Sequence, residues 1–180
     1  MHYNEVTNSI LIGEFLLRKD KSRNFITMSF KVQREILKNE DGRVYLICSN
    51  GIIKKIGGSQ SKGGIESTMS FYLNSMMGSP GKPRFILHLL IRDELLKGKH
   101  CTLHMITSPK VISHVNGLYS KEIIEVAAFK EMENLCKKDY FKKMGRYPEW
   151  NYQENNEDYP KDYSLLHNEY HKLRLENKDE

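Results

Sequence analysis

Cysteine, tryptophan and proline are scarce in this 180-residue chain, at three, one and five residues. Cys48, Cys101 and Cys136 are far apart, odd in number and free of any CxxC spacing. That excludes a disulfide framework or a cysteine zinc site and predicts small buried thiols in a reducing compartment. No apolar run approaches the roughly eighteen residues a membrane-spanning helix requires, and the opening MHYNEVTNS lacks a basic region followed by an apolar stretch. The expectation is a cytoplasmic protein with no membrane partner. Internal repeats and low-complexity segments are also missing, so the length reads as one domain with room for arms around its core.

Positive charge is in excess, at a net +5, and it is unevenly spread. Residues 152–180 hold four Lys/Arg against eight Asp/Glu, a net of −4, which leaves +9 on residues 1–151. A basic body with an acidic tail favours a polyanionic partner over an acidic protein or a neutral metabolite.

The hydrophobic pattern outlines the order of elements. SILIGEFLL is an apolar stretch, and NFITMSFKV alternates as a strand does; VQREILKNEDG reads as a short helix ended by Asp41-Gly42. RVYLICSNGIIKKIGGS is a hairpin, with Val44, Leu46 and Cys48 alternating against Tyr45 and Ile47. Its Asn50-Gly51 turn supplies the positive φ angles that a tight primed turn requires. Helices are predicted over 65–77, stopped by GSPGKP, and over 84–96, ended by Lys97-Gly98. HCTLHMI reads as a strand, a long helix is expected over 120–144 with Gly145 as its stop, and the tail holds a short amphipathic helix near 165–175 on a solvated or loosely docked extension. The fold class that follows is α/β (α+β): a small antiparallel sheet built on the hairpin and flanked by helices.

Three features carry possible chemistry. Tyr45 and Lys55 stand one on each strand of the hairpin, where a lysine beside a phenol would favour the phenolate; the same residues also suit the wet face of an ordinary hairpin. GGSQSKGG after it lets backbone N–H groups approach an oxyanion, with Ser59 and Lys62 as added donors, or is simply a turn. On the expected long helix, Val126, Phe129, Cys136, Tyr140 and Met144 form an apolar stripe whose middle member is Glu133. A carboxylate there is costly to bury without a cation, so Glu133 is either a metal ligand or the partner of a lysine such as Lys130 or Lys137. Glu131 and Glu125 lie close to the same stripe, and periodicity alone does not choose among the three.

Weaker constellations are His100 with His104 and His167 with His171, each at i,i+4 spacing with no third ligand evident. Tyr147 and Trp150 in GRYPEWNY could stack on bases or cap the core. The GSPGKPR loop, with Lys82, reads as a basic connector able to follow a phosphate backbone.

VYLICSNGIIKKIGGS resembles the paired-strand signature of the GIY-YIG nuclease superfamily, with RVY (Arg43 to Tyr45) for the first triplet and KIG (Lys55 to Gly57) for the second. The lysine is similar to that of the family's small type II restriction-endonuclease branch. MENLCKKDYFKKMGRYPEWN is similar to the end of the family's domain, which implies Glu133 as the metal ligand and Asn151 as the closing asparagine. The resemblance covers residues 43–151, with 1–42 as an N-terminal arm, an insertion near 78–118 and a charged extension over 152–180. It implies a homodimeric, sequence-specific endonuclease on double-stranded DNA that uses Mg²⁺ or Mn²⁺ and no organic cofactor. Tyr45, Lys55, Glu133, Ser59 and Arg84 would be its catalytic residues, with Tyr45, assisted by Lys55, as the base toward the attacking water, and Lys54, Gly57, Gly58, Lys62, Lys82 and Asn151 would contact DNA. One departure stands out. The arginine that the family carries on the helix after the second triplet is missing from GIESTMSF, where Glu66 stands near its place, and Arg84, Arg92 or Lys62 would have to supply that charge. A catalytically inactive nucleic-acid-binding module of the same fold is the alternative.

Overall fold

The computed structural model describes residues 1–20 and 23–176, and the last four residues of the acidic tail lie outside them. Strands β1 (Ile10–Leu17), β2 (Ile26–Phe30), β3 (Gly42–Ser49), β4 (Ile52–Ser59) and β5 (Cys101–Ser108) form one sheet in the order β2-β1-β5-β3-β4. Every neighbouring pair is antiparallel. Helices α1 (Arg34–Lys38), α2 (Gly64–Leu73), α3 (Lys82–Leu96), α4 (Phe129–Met144) and α5 (Lys161–Glu176) surround it. The sheet thus has the expected α+β form, and its composition runs through the whole body. Strands β1 and β2 come from residues 1–42, and β5 lies at the sheet's centre although it falls within 78–118.

Strand β3 has all eight residues buried, because its alternation serves two cores. Tyr45 and Ile47 join Ile12, Phe15, Leu103, Met105, Ile65 and Met69 on the face covered by α2 and α3. Val44, Leu46 and Cys48 face the other way, with Ile53, Ile56 and Tyr140, under α4. Asn50 and Gly51 take φ of 45° and 81°, the left-handed pair that the primed turn requires. Cys48 and Cys101 are buried and Cys136 is half-buried; burial pushes the Cys48 thiol up to about 12 and that of Cys101 to about 11.

The long helix expected over 120–144 begins only at Phe129. Residues Lys121–Val126 form strand β7, paired antiparallel with β6 (Val111–Asn116) in a separate, exposed two-stranded ribbon. KEIIEV matches a helical stripe as well as a strand; both segments are rich in β-branched residues, which favour the strand, and Val111 stands opposite Val126. Val126 therefore leaves the expected stripe, and the inward row of α4 is Met132, Cys136 and Tyr140.

The tail is docked more firmly than expected. Helix α5 packs on α3, with Tyr159, Tyr163 and Tyr170 against Phe85, Ile86 and Leu89. No described helix is long and apolar enough to cross a membrane.

His88 sits in the apolar run of α3, fully buried. Its Nε2 accepts the Phe25 N–H at 3.1 Å, so Nδ1 carries the proton and donates to the Tyr72 carbonyl at 2.8 Å. Burial lowers its pKa from 6.5 to about 4, against the opposing pull of that carbonyl. The unfolded chain binds the proton first, so this contribution to stability is whole above about pH 6.5 and is lost as pH falls through 4, by up to about 3 kcal/mol. Urea midpoints measured from pH 7 to pH 4 should fall accordingly in the wild type and much less in His88→Gln; parallel profiles would remove the assignment.

Candidate active site

Edge strand β4 changes character at Gly57-Gly58, where neither face carries a side chain. Tyr45, opposite Gly57 in the β3–β4 register, lies over one face, and Glu133 of α4 lies over the other. A Cβ at Gly57 would stand 2.3 Å from the Tyr45 hydroxyl, and one at Gly58 2.5 Å from Glu133 Oε2. The two glycines thin the edge of the sheet so that a phenol and a carboxylate from opposite layers come near each other. Lys55, opposite Ile47, enters the same neighbourhood two residues earlier, inside a small cavity lined by Tyr72, Trp150, Tyr152 and Tyr159.

The second edge of β4 is closed by the chain after α4. Asn151 is fully buried and spends both amide atoms on Ile56, accepting its N–H at 2.9 Å and donating to its carbonyl at 3.0 Å, while Trp150 N–H donates to the Lys54 carbonyl. This is the bonding of a further strand in miniature, and it continues the cover of this edge beyond the bridge that His2 makes with Ile52. The position of Asn151 makes it a lock on β4 with no access to a ligand. Trp150 belongs to the core, and Tyr147 packs on Phe141.

The site's electrostatics run against a pre-formed phenolate. Tyr45 is almost entirely buried and bonds the Tyr72 hydroxyl at 2.5 Å. Burial raises its pKa well above 10, Tyr72 and Glu133 raise it further, and Arg84 only partly offsets them. The expectation that Lys55 would lower the Tyr45 pKa is corrected here: desolvation dominates, and it also lowers the pKa of Lys55 itself from 10.5.

Of the three carboxylates, Glu133 is the one that lies over Gly58. Glu131 is exposed, and Glu125 sits on the ribbon near Lys110. Glu133 pairs with Lys137 at 2.6 Å, one helical turn on, and Lys137 also bonds Glu154 from the segment that closes β4. Burial alone would lower the pKa of Lys137, but the two carboxylates outweigh it and raise it. The pair thus already holds a cation between two carboxylates, which fits the one or two carboxylates plus water and phosphate that Mg²⁺ takes. Among the described residues no group of three or more His, Cys, Asp or Glu could hold a metal alone.

The remaining candidates are distributed around this point. Arg84, at the start of α3, stacks its guanidinium 4.5 Å from the Phe71 ring and acts electrostatically on both Tyr45 and Tyr72, whereas Arg92 is engaged by Asp93 and Phe25 farther off. Glu66 is paired with Lys38. Ser59 bonds Thr68 at 2.7 Å and, with the buried Arg43, whose guanidinium donates to the carbonyls of Asn39, Asp41 and Ser61, shapes the glycine turn. Lys62 is exposed on that turn, Lys54 pairs with Glu149, and Lys82 lies 6.0 Å from the Tyr159 ring. His100 and His104 do not converge: His100 faces Glu14, and buried His104 packs on Tyr3. The expected lysine partner of Glu133 is Lys137 rather than Lys130, while the sequence alone singles out neither Tyr72 nor Glu154 and gives Arg43 no role beyond its place in RVY.

Among solved structures, the chain is similar to a mutant of EndoII from bacteriophage T4, at 16% identity over 84% of this chain and 99% of that chain, with a TM-score of 0.56. It is also similar to restriction endonuclease HPY188I in complex with product DNA, at 18% identity over 81% and 80% of the two chains, with a TM-score of 0.48. No family model and no curated protein matches the sequence. The first likeness shows a shared fold.

Proposed function

We propose that this chain is a metal-dependent endonuclease acting on double-stranded DNA, in its finer form a sequence-specific type II restriction enzyme. The observation that carries the proposal is the meeting of Tyr45, Lys55 and Glu133 around Gly57-Gly58 on a body of net charge +9. The fold shared with phage EndoII supports it.

Each residue has a part in this reading. Lys55, with its pKa lowered by burial, accepts the proton of the attacking water. Tyr45, kept as a phenol, orients that water, and Tyr72 fixes the ring. Arg84 stands in for the arginine missing from α2 and offsets charge on the scissile phosphate. Glu133, with Glu154 beside it, would hold Mg²⁺ or Mn²⁺, which supplies positive charge for the leaving 3′ oxygen. Ser59 and the glycine turn shape the phosphate's seat, and Lys54, Lys62 and Lys82 track the backbone. One site per chain and two strands to cleave favour a homodimer.

A binding module without cleavage is the second reading, favoured by the absence of an arginine from α2 and by the hold of Lys137 on Glu133. Incubation of the purified protein with supercoiled and linear DNA in Mg²⁺, Mn²⁺ or EDTA separates the two. Discrete fragments that need the metal are expected. Intact DNA with steeply salt-dependent binding would leave the binding module, and no binding at all would remove both.

A further inference from the structure

The nuclease reading leaves one convergence of side chains unused, far from Glu133 in sequence. His167 and His171 on α5 bring their Nε2 atoms to 3.0 Å from each other, and each lies 3.2 Å from the carbonyl oxygen of Pro80. These three atoms form a triangle that hydrogen bonds cannot satisfy. If both nitrogens carry a proton, both can donate to Pro80, but two N–H groups then confront each other. If one does, the other nitrogen turns a lone pair toward the carbonyl. A cation at the centre makes all three contacts favourable.

We propose that His167, His171 and the Pro80 carbonyl form a binding site for a first-row divalent ion, with zinc as the expected occupant. Bonds of about 2.0–2.1 Å to a four- to six-coordinate ion place its ligands roughly 2.9–3.4 Å apart, and the sides of this triangle are of that length. Imidazole nitrogen suits zinc, nickel and copper and does not suit magnesium, so the site differs in kind from Glu133. Water completes the coordination. The geometry is held from outside the triangle: the His167 ring packs edge-on against Phe85 at 5.2 Å, and Tyr170 between the two histidines donates to the Gly78 carbonyl at 2.9 Å. His167 Nδ1 has no hydrogen-bond partner, so this packing is what orients the ring. The ion would join α5 to the turn that starts α3, two residues before Lys82 and four before Arg84.

The proposal does not depend on nuclease activity, and its test does not read activity. Zinc content and calorimetric titration with ZnCl₂ are measured on the full chain, on Glu133→Gln, on His171→Ala and on His167→Ala, with His100→Ala as a control for stray histidine binding. One zinc per chain is expected in the wild type, Glu133→Gln and His100→Ala, with affinity lower by tenfold or more in each of the other two. Zinc should also raise the thermal midpoint of the wild type and leave that of His171→Ala unmoved. Should His167→Ala fail to fold, His171→Ala decides, with Co²⁺ absorption reporting the loss of a nitrogen ligand. Zinc bound equally by His171→Ala, or not bound by the wild type, overturns the proposal.

Discussion

Glu133→Gln is expected to reduce metal-dependent cleavage by roughly 10³-fold or more, the scale on which loss of a principal transition-state charge is felt. The amide keeps the size of the side chain and its place over Gly58, but it gives up the negative charge that would hold the ion. Lys137 retains Glu154, so stability should change by no more than about 1 kcal/mol, and salt-dependent DNA binding should persist. Cleavage rates, denaturant midpoints and binding are measured on the same preparation. Cleavage at the wild-type rate would remove Glu133 from the metal site. Parallel variants at Glu131 and Glu125, which the fold sets apart from Gly58, should cleave normally.

That Glu133 stands out in the structure and less so in the sequence has a local cause. The helical stripe spans 120–144 as a pattern, yet the first part of that range folds back on the segment just before it as the β6–β7 hairpin, and a pattern such as KEIIEV satisfies both periods. The hairpin was legible because its information is local: alternation on β3, Asn50-Gly51 at the turn, and two glycines where neighbours from both layers need room. The same locality made the end of α3 readable from Lys97-Gly98, whereas α2 stops at Leu73 with Asn74 as its cap, short of the expected 77 and of GSPGKP. What escaped were meetings between residues remote in the chain. Tyr72 on Tyr45, Glu154 on Lys137 and Asn151 on Ile56 arise only once the layers are packed. The donors of Arg43 are likewise consumed by three carbonyls of the neighbouring turns, contacts that the RVY triplet does not show. His88 left a visible trace, a titratable ring inside FILHLLI, and its two backbone bonds explain why it is there.

The proton-accepting step gives the other large effect. The resemblance implies Tyr45 as the base with Lys55 assisting, but burial moves the two pKa values apart in the directions that exchange these roles. A general base acts in its unprotonated form. A lysine whose pKa lies below 10.5 therefore offers a growing neutral fraction as pH rises from neutrality, whereas a phenol held well above 10 offers almost none there. The cleavage rate should accordingly rise with pH and level off below pH 10.5. Lys55→Met, which fills the aromatic cavity with an uncharged chain, should lose roughly 10²–10⁴-fold and with it the pH dependence. Tyr45→Phe loses one hydrogen bond to Tyr72 and should cost only about tenfold, with the pH dependence kept. Single-turnover rates from pH 6 upward, at constant ionic strength and metal, distinguish the two assignments. A folded Tyr45→Phe as inactive as Lys55→Met, in an enzyme whose rate is still climbing at the highest pH, would return the proton to the phenol.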